Sequence, residues 1–359
     1  MKFLRKITCL ILCAVCALCL TCCSFSGVAV DLYYFNTSIH VEVHDFALSK
    51  SDIDNIEKQL SDLENEFDVH STTSFLAKFN SADKDTALSL SPTAKKLFLT
   101  AKKYYEFTNG LFDPTVYPLV KLWQFSPNYP VQTFAPPTLE QIAQVLPHVS
   151  FSLIELDQEN STVTKKDQFV QMDFGAFLKG YACDQIANAL KSLGHKKGYV
   201  NVGGSSLNLL EVPSLLVRHP RATENSLNIL SIDTLGSTNL SVSTSGDYEK
   251  YYTYNQKKYT HVINPLTGMT ADTGISSVTV LGGDGVFNDI VTTTACLLEH
   301  TPSDVESSPL VNFLRLACDM GSPHTVFFAV YENDKQIITN QQDSSKFTVL
   351  DKQYELIIV

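Results

Sequence analysis

The stretch QMDFGAFLKGYACDQIANAL (171–190) places an acid, a Gly-Ala pair, a lysine and a second acid where a strand turns into a helix. Leu178, Ala182, Ile186 and Leu190 recur every fourth residue, so one face of a helix over 176–193 packs on a core. Lys179 and Asp184 fall off that stripe. Asp173 closes the preceding strand, and Gly175 permits a sharp turn that brings the backbone of Ala176 towards a ligand. A helix N-terminus offers unpaired N–H groups, and with a lysine one turn in it suits an anion such as a pyrophosphate. The same residues also fit an ordinary strand-to-helix turn with a capping Asp and a solvated Lys.

Outwards from this motif, strands are interrupted by single helices. FSLIELD (151–157) and STVTKKDQFVQMD (161–173) read as a hairpin leading into it, with further strands in KGYVNVGGSSLNLL (197–210), SLLVRHP (214–220) and ISSVTVLGG (275–283). VAVDLYYFNTSIHVEV (28–43) is a strand pair or one long bent strand. Helical periodicity marks 49–67, where Ser49 is a cap candidate and Ile53, Ile56, Leu60 and Leu63 share a face. It also marks 91–110, bounded by Ser91-Pro92 and Gly110. A third helix is expected around 139–146 after a proline-rich loop, others at 287–298 and near 310–318, and three short strands close the chain. These runs predict an α+β fold of mixed sheets with packed helices, not a regular βαβ alternation.

A chain of 359 residues with 44% hydrophobic content suffices for a real core. The formal charge is −11, and the leader's Lys2, Arg5 and Lys6 have no acid beside them, so the remainder is more acidic still. A phosphate backbone is neutralised by Lys and Arg, so no nucleic acid is expected as partner. The leader MKFLRKITCLILCAVCALCLTCCSFS has a basic start and an apolar run over 7–20, short for a membrane span and right for a signal peptide. Its end, LCLTCC, resembles the lipobox of bacterial lipoproteins. Residues 1–22 are therefore read as a lipoprotein signal and Cys23 as the lipidated start of a mature domain over 23–359; an ordinary cleaved signal, or lipidation at Cys22, fits the same residues. Most of the nine cysteines lie in this leader, and Cys183, Cys296 and Cys318, widely spaced in apolar patterns, are expected as buried free thiols.

Further stretches carry chemistry. YVNVGGSS ends an apolar strand in Gly203 and Gly204, where a ligand or another backbone can approach. STSGDYEKYY and YTHVINPLTGMTAD form a polar hairpin with a lone His261 before an Asn-Pro turn. In GGDGVFNDIVTTTACLL, Asp289 and Thr293 lie on one helix face, and their oxygens suit a hard cation such as Mg2+. A capping Asp, a back-bonded Thr and a histidine that holds its turn explain the same residues without a ligand.

Taken together, FNTSIHVEV, FDVHSTTSFLAKFN, GLFDPTVYPLVKLW, DFGAFLKGYACD, YVNVGGSS, STSGDYEKYY, THVINPLTG and SVTVLGGDGVFNDIVTTTA, in that order, make the chain resemble the ApbE family of FAD:protein FMN transferases. The resemblance implies an ApbE-like, T-fold-like architecture. It implies Mg2+-dependent transfer of FMN from FAD to a Thr or Ser of a target flavoprotein, with release of AMP. Mg2+ would be held by Ala176, through its backbone carbonyl, and by Asp289 and Thr293; Thr292 ranks lower, since it faces about 100° away on a helix. FAD, as substrate, would contact Phe35, His70, Leu111, Phe112, Asp113, Asp173, Lys179 and Ile263, and His261 would be the general base. By the same resemblance the targets are extracytoplasmic domains of membrane redox complexes. The protein would be exported and lipid-anchored to a bacterial membrane, on the periplasmic or another extracytoplasmic face. Departures from the family pattern are Asn264 for the usual Asp, Ser205 for Asn, Asp or Glu, and His70 where relatives often carry Tyr. The last bears on whether protein or water attacks, so a Mg2+-dependent FAD pyrophosphatase giving FMN and AMP is an alternative. A flavin-binding lipoprotein without turnover is another.

Overall fold

The computed structural model describes residues 27–126, 134–224, 226–322 and 324–359. The leader and its lipobox lie outside these residues, as does part of the proline-rich loop. Residues 28–43 form a hairpin, Val28–Tyr34 against Thr37–Val43, and not one bent strand. The hairpin opens a nine-stranded sheet that continues through Gly198–Val202, Ser206–Leu209, Leu240–Gly246, Ile275–Leu281, Val326–Tyr331, Gln336–Thr339 and Glu355–Ile358. Neighbours are antiparallel throughout except for the last pair, which is parallel. The fold is α+β, as expected.

Helices pack on one face of this sheet, and a small sheet of Phe347–Val349, Ser226–Asp233 and Ser214–Thr223 packs on the other. Val326–Tyr331 shows why its sequence, VFFAVY, is apolar throughout. Phe327, Ala329 and Tyr331 enter the helix-side core while Phe328 and Val330 enter the sheet-side core, the two-residue period of a strand covered on both faces. Each buried Phe or Val side chain of this strand contributes about 1.5–3 kcal/mol relative to exposure.

The expected helices form where their caps stand. Lys50–Phe67 begins with a capping box between Ser49 and Asp52 and buries Ile56, Leu60, Leu63 and Phe67, with Ile53 partly covered. Pro92–Phe107 is capped by Ser91, and the chain turns away through Gly110 at φ +83°. Phe75–Ser81 and Tyr117–Leu122 are helices that the periodicity does not announce, because seven and six residues are too few to display it. After the Pro309–Met320 helix the chain forms four strands, not three; the extra one, Phe347–Val349, leaves the main sheet for the small one. Cys183 and Cys296 are buried free thiols and Cys318 is partly buried. Among the described residues no helix is long and apolar enough to cross a membrane.

Candidate active site

The motif helix spans Leu178–Ser192, starting later than its apolar stripe suggests. Residues 175–177 form a turn instead, because Asp173 Oδ1 accepts from Gly175 N at 2.7 Å and Phe174 O accepts from Leu178 N at 2.8 Å. Gly175 does not take the left-handed φ that its expected role in a sharp turn suggests. Smallness is what matters there, since a Cβ would press on Asp173 Oδ1 at 3.1 Å.

A cavity of about 450 Å³ opens beside this turn. Every residue singled out from the sequence as a site residue lines it: Phe35, His70, Leu111, Phe112, Asp113, Asp173, Ala176, Lys179, His261, Ile263, Asp289 and Thr293. Phe35 reaches it from the tip of the first hairpin, where Phe35 and Asn36 both have φ 55°, as a two-residue hairpin turn requires. A phenylalanine in that region is strained, and its N–H is held by Glu64 Oε1 at 2.7 Å. The His70 ring stands edge-on to Tyr117 at 6.4 Å. Ile263 belongs to a small core with Leu119, Trp123 and Ile142. Behind it, Asn264 Oδ1 accepts from Leu266 N at 2.9 Å, a turn-forming contact that needs no charge.

The acids of the cavity do different work. Asp113 Oδ1 accepts from Thr115 N and Oγ1 at 2.8 and 2.7 Å, and Oδ2 from Phe151 N at 3.0 Å, so its carboxylate shapes the loop under Leu111. Burial still pushes its pKa up to about 6. Burial also raises the pKa of Asp173, against the pull of Gly175 N–H. Asp289 accepts from Gly180 N at 2.7 Å and Ser206 Oγ at 2.8 Å, and burial raises its pKa while Lys179 opposes the shift. Among the described residues no Lys, Arg or His nitrogen lies within 4.0 Å of it. Thr293 Oγ1 lies 3.3 Å from Ser245 Oγ. Thr292 instead donates its hydroxyl to Asn288 O at 2.9 Å and is fully buried.

Lys179 Nζ donates to Ser205 Oγ at 2.6 Å and, among the described residues, has no carboxylate within 4.0 Å. Burial lowers its pKa and Asp289 opposes that. Its stem passes Gly203, whose φ of +66° keeps the strand end close to Thr37; a Cβ there would meet Thr37 Oγ1 at 2.8 Å. His261 Nδ1 lies 3.1 Å from Lys250 O. A carbonyl only accepts, so Nδ1 carries the proton and Nε2 keeps its lone pair. His261 retains some accessible surface and lines the cavity. Desolvation, then Lys179 and Lys250, lowers its pKa to about 4, and it is neutral at pH 7.

Ser205, Ser245, Glu249, Lys250 and Tyr117 also line the cavity and were not read as site residues from the sequence. STSGDYEKYY flagged the segment that holds three of them, but a polar run does not say which side chains turn inwards.

The chain matches the model of the ApbE family over residues 35–304. Among curated proteins it is similar to the FAD:protein FMN transferase of Haemophilus influenzae, 28% identical over 79% of this chain and 85% of the relative. The FAD:protein FMN transferase of Escherichia coli K12 is 29% identical over 63% of this chain and 65% of the relative. Among solved structures it is similar to the ApbE protein of Thermotoga maritima, with TM-score 0.73, 24% identity and coverage of 85% of this chain and 94% of that one. The flavin transferase ApbE of Vibrio cholerae superposes with TM-score 0.71 at 21% identity, covering 86% and 94%.

Proposed function

The chain belongs to the ApbE family, and from that premise we propose that it transfers FMN from FAD to a Ser or Thr hydroxyl of a target flavoprotein, releasing AMP. The observation that carries this reading is the separation of charge in one cavity. Among the described residues, half-buried Lys179 has no carboxylate within 4.0 Å and buried Asp289 no Lys, Arg or His nitrogen, beside a neutral His261. A half-buried lone lysine facing a cavity suits a phosphate, and a buried lone carboxylate suits a cation.

The donor set fits Mg2+. Asp289, Thr293 and the backbone carbonyl of Ala176 are hard oxygen donors of residues that line the cavity, and they would hold the ion while leaving room for waters and phosphate. Once bound, it would offset charge that develops on the phosphates of FAD. The chain's own residues account for the other tasks. Lys179 binds the pyrophosphate, and Phe35 and Ile263 wall a flat ring. His261 Nε2 takes the proton of the acceptor hydroxyl as its oxygen bonds to the FMN phosphorus; the bond from that phosphorus to the bridging oxygen breaks and AMP departs. Incubation with FAD, Mg2+ and an acceptor domain should add the mass of one FMN to the acceptor and release one AMP for each. Free FMN with an unmodified acceptor would instead favour hydrolysis and sink the transferase reading.

The leader supports a further proposal, that the protein is exported and tethered by a lipid on Cys23, facing extracytoplasmic domains of membrane redox proteins. Cys23→Ser should then move the protein from the membrane to the soluble fraction of cells. Retention of that variant, with release of Cys22→Ser, would assign the anchor to the neighbouring cysteine.

A further inference from the structure

Asp184, the second acid of the 171–190 stretch, does not line the cavity, yet it is tied to the residues that do. Its Oδ2 accepts from Gly285 N at 2.6 Å, and Gly285 opens the Gly285–Ala295 helix that carries Asp289 and Thr293. Its Oδ1 accepts from Ser241 Oγ at 2.7 Å and Asn208 Nδ2 at 3.0 Å, both on strands of the main sheet. The contact is reciprocated. Gly180 N, in the first turn of the Leu178–Ser192 helix, donates to Asp289 Oδ2 at 2.7 Å. Each helix thus sets a carboxylate on an N–H that has no partner within the other helix, at that helix's positive end. The approach is close because glycines meet: a Cβ on Gly180 would stand 2.1 Å from Gly285 O, and one on Gly285 2.4 Å from Gly180 O.

We propose that Asp184 is a positioning residue for the cation site, fixing the start of the Gly285–Ala295 helix against the Leu178–Ser192 helix so that Asp289 and Thr293 stand where one ion meets both. The inference rests on the cation reading above. Magnesium demands near-ideal ligand geometry, so a small displacement of this helix lowers affinity without emptying the cavity of its lining. Asp184→Asn keeps the shape of the side chain but replaces one acceptor by a donor. Either Gly285 N–H or the Ser241 and Asn208 donors then face an N–H instead of an oxygen.

The test titrates Mn2+, as a spectroscopic stand-in, into the full chain with FAD present and reads free Mn2+ by electron paramagnetic resonance. Asp184→Asn should weaken Mn2+ binding roughly 10- to 100-fold, the range for groups that orient metal ligands. Ser241→Ala should shift it the same way by less. Raising Mn2+ should recover transfer, and FAD affinity without metal should match the wild type; general loosening of the fold would weaken both. A folded Asp184→Asn with Mn2+ affinity within about twofold of wild type would overturn the proposal. Should that variant fail to fold, an unchanged affinity in Ser241→Ala would do the same. If the wild type binds no Mn2+ in the presence of FAD, the cation reading falls and this inference with it.

Discussion

Asp289→Ala is expected to lower FMN transfer by on the order of 10²–10³-fold or more, the scale seen when a preorganised electrostatic contact to the transition state is removed. The loss should persist as Mg2+ is raised, since the variant lacks the only carboxylate of the proposed ligand set. Two opposing effects act on stability. Gly180 N–H and Ser206 Oγ lose their acceptor, at about 1–3 kcal/mol for each buried group left unpaired. Against this, an acid whose pKa burial raises no longer has to be held ionised in the interior. Asp289→Asn separates the terms, because the amide keeps an acceptor for one donor while removing the charge. Its activity should fall nearly as far as that of the alanine variant, with a smaller drop in melting temperature. Activity within tenfold of wild type in either variant at limiting Mg2+ would remove Asp289 from the cation site.

His261→Ala should reduce kcat by about 10²–10⁴-fold, the usual contribution of a positioned general base, while leaving FAD binding near wild type. Lys250 O is not orphaned by the change, because it also accepts from the backbone His261 N at 3.0 Å. The pH profile supplies an independent check. The base works in its neutral form, and a pKa of about 4, down from the ordinary 6.5, keeps it neutral through the range where an ordinary histidine is protonated. The acid limb of kcat/KM, which reports the free enzyme, should therefore lie near pH 4. In the FAD complex the phosphates offset Lys179 and Lys250, the smaller causes of the shift, so the limb of kcat should move up in part while burial still holds it below 6.5. The same displacement has a cost for the fold. The unfolded chain takes up this proton as pH falls through 6.5 and the folded chain only near 4, so the group withdraws stability across that window. A kcat/KM limb that stays near 6.5, or a His261→Ala variant that keeps a tenth of wild-type kcat, would dismiss His261 as the base.

Some of this site is readable in one dimension because its spacing is local. Asp289 and Thr293 share a helix face by their separation alone, and Asp173, Ala176 and Lys179 follow one another through the turn that opens a single helix, although the expected strand before it ends at Lys165. Other parts are not. The Phe35 turn depends on a backbone conformation that phenylalanine rarely adopts, and Glu64, which holds it, comes from the next helix. Asp184 falls off the apolar stripe, and no local spacing names its partners, which lie on Asn208, Ser241 and Gly285.

By itself the sequence determined the longer strands and helices, through apolar periods of two and 3.6 and through caps such as Ser49 and Ser91, but not the short Phe75–Ser81 and Tyr117–Leu122 helices or the Phe347–Val349 strand. It also determined the inventory of chemical groups, since hard oxygens, a lysine and a histidine are visible as residue types. Only the tertiary structure decided which charges stand alone and which are neutralised. Lys165 and Lys179 both occur in partly polar runs. Lys165 is fully buried and donates to the carbonyls of Asn80, Gln168 and Val170, while Lys179 faces the cavity with Ser205. Asp113 is taken up by Thr115 and Phe151, and Asp289 remains short of a cation. A charge's environment is the sum of solvent excluded and partners brought near, and both come from residues far apart in the chain, so no local pattern encodes them.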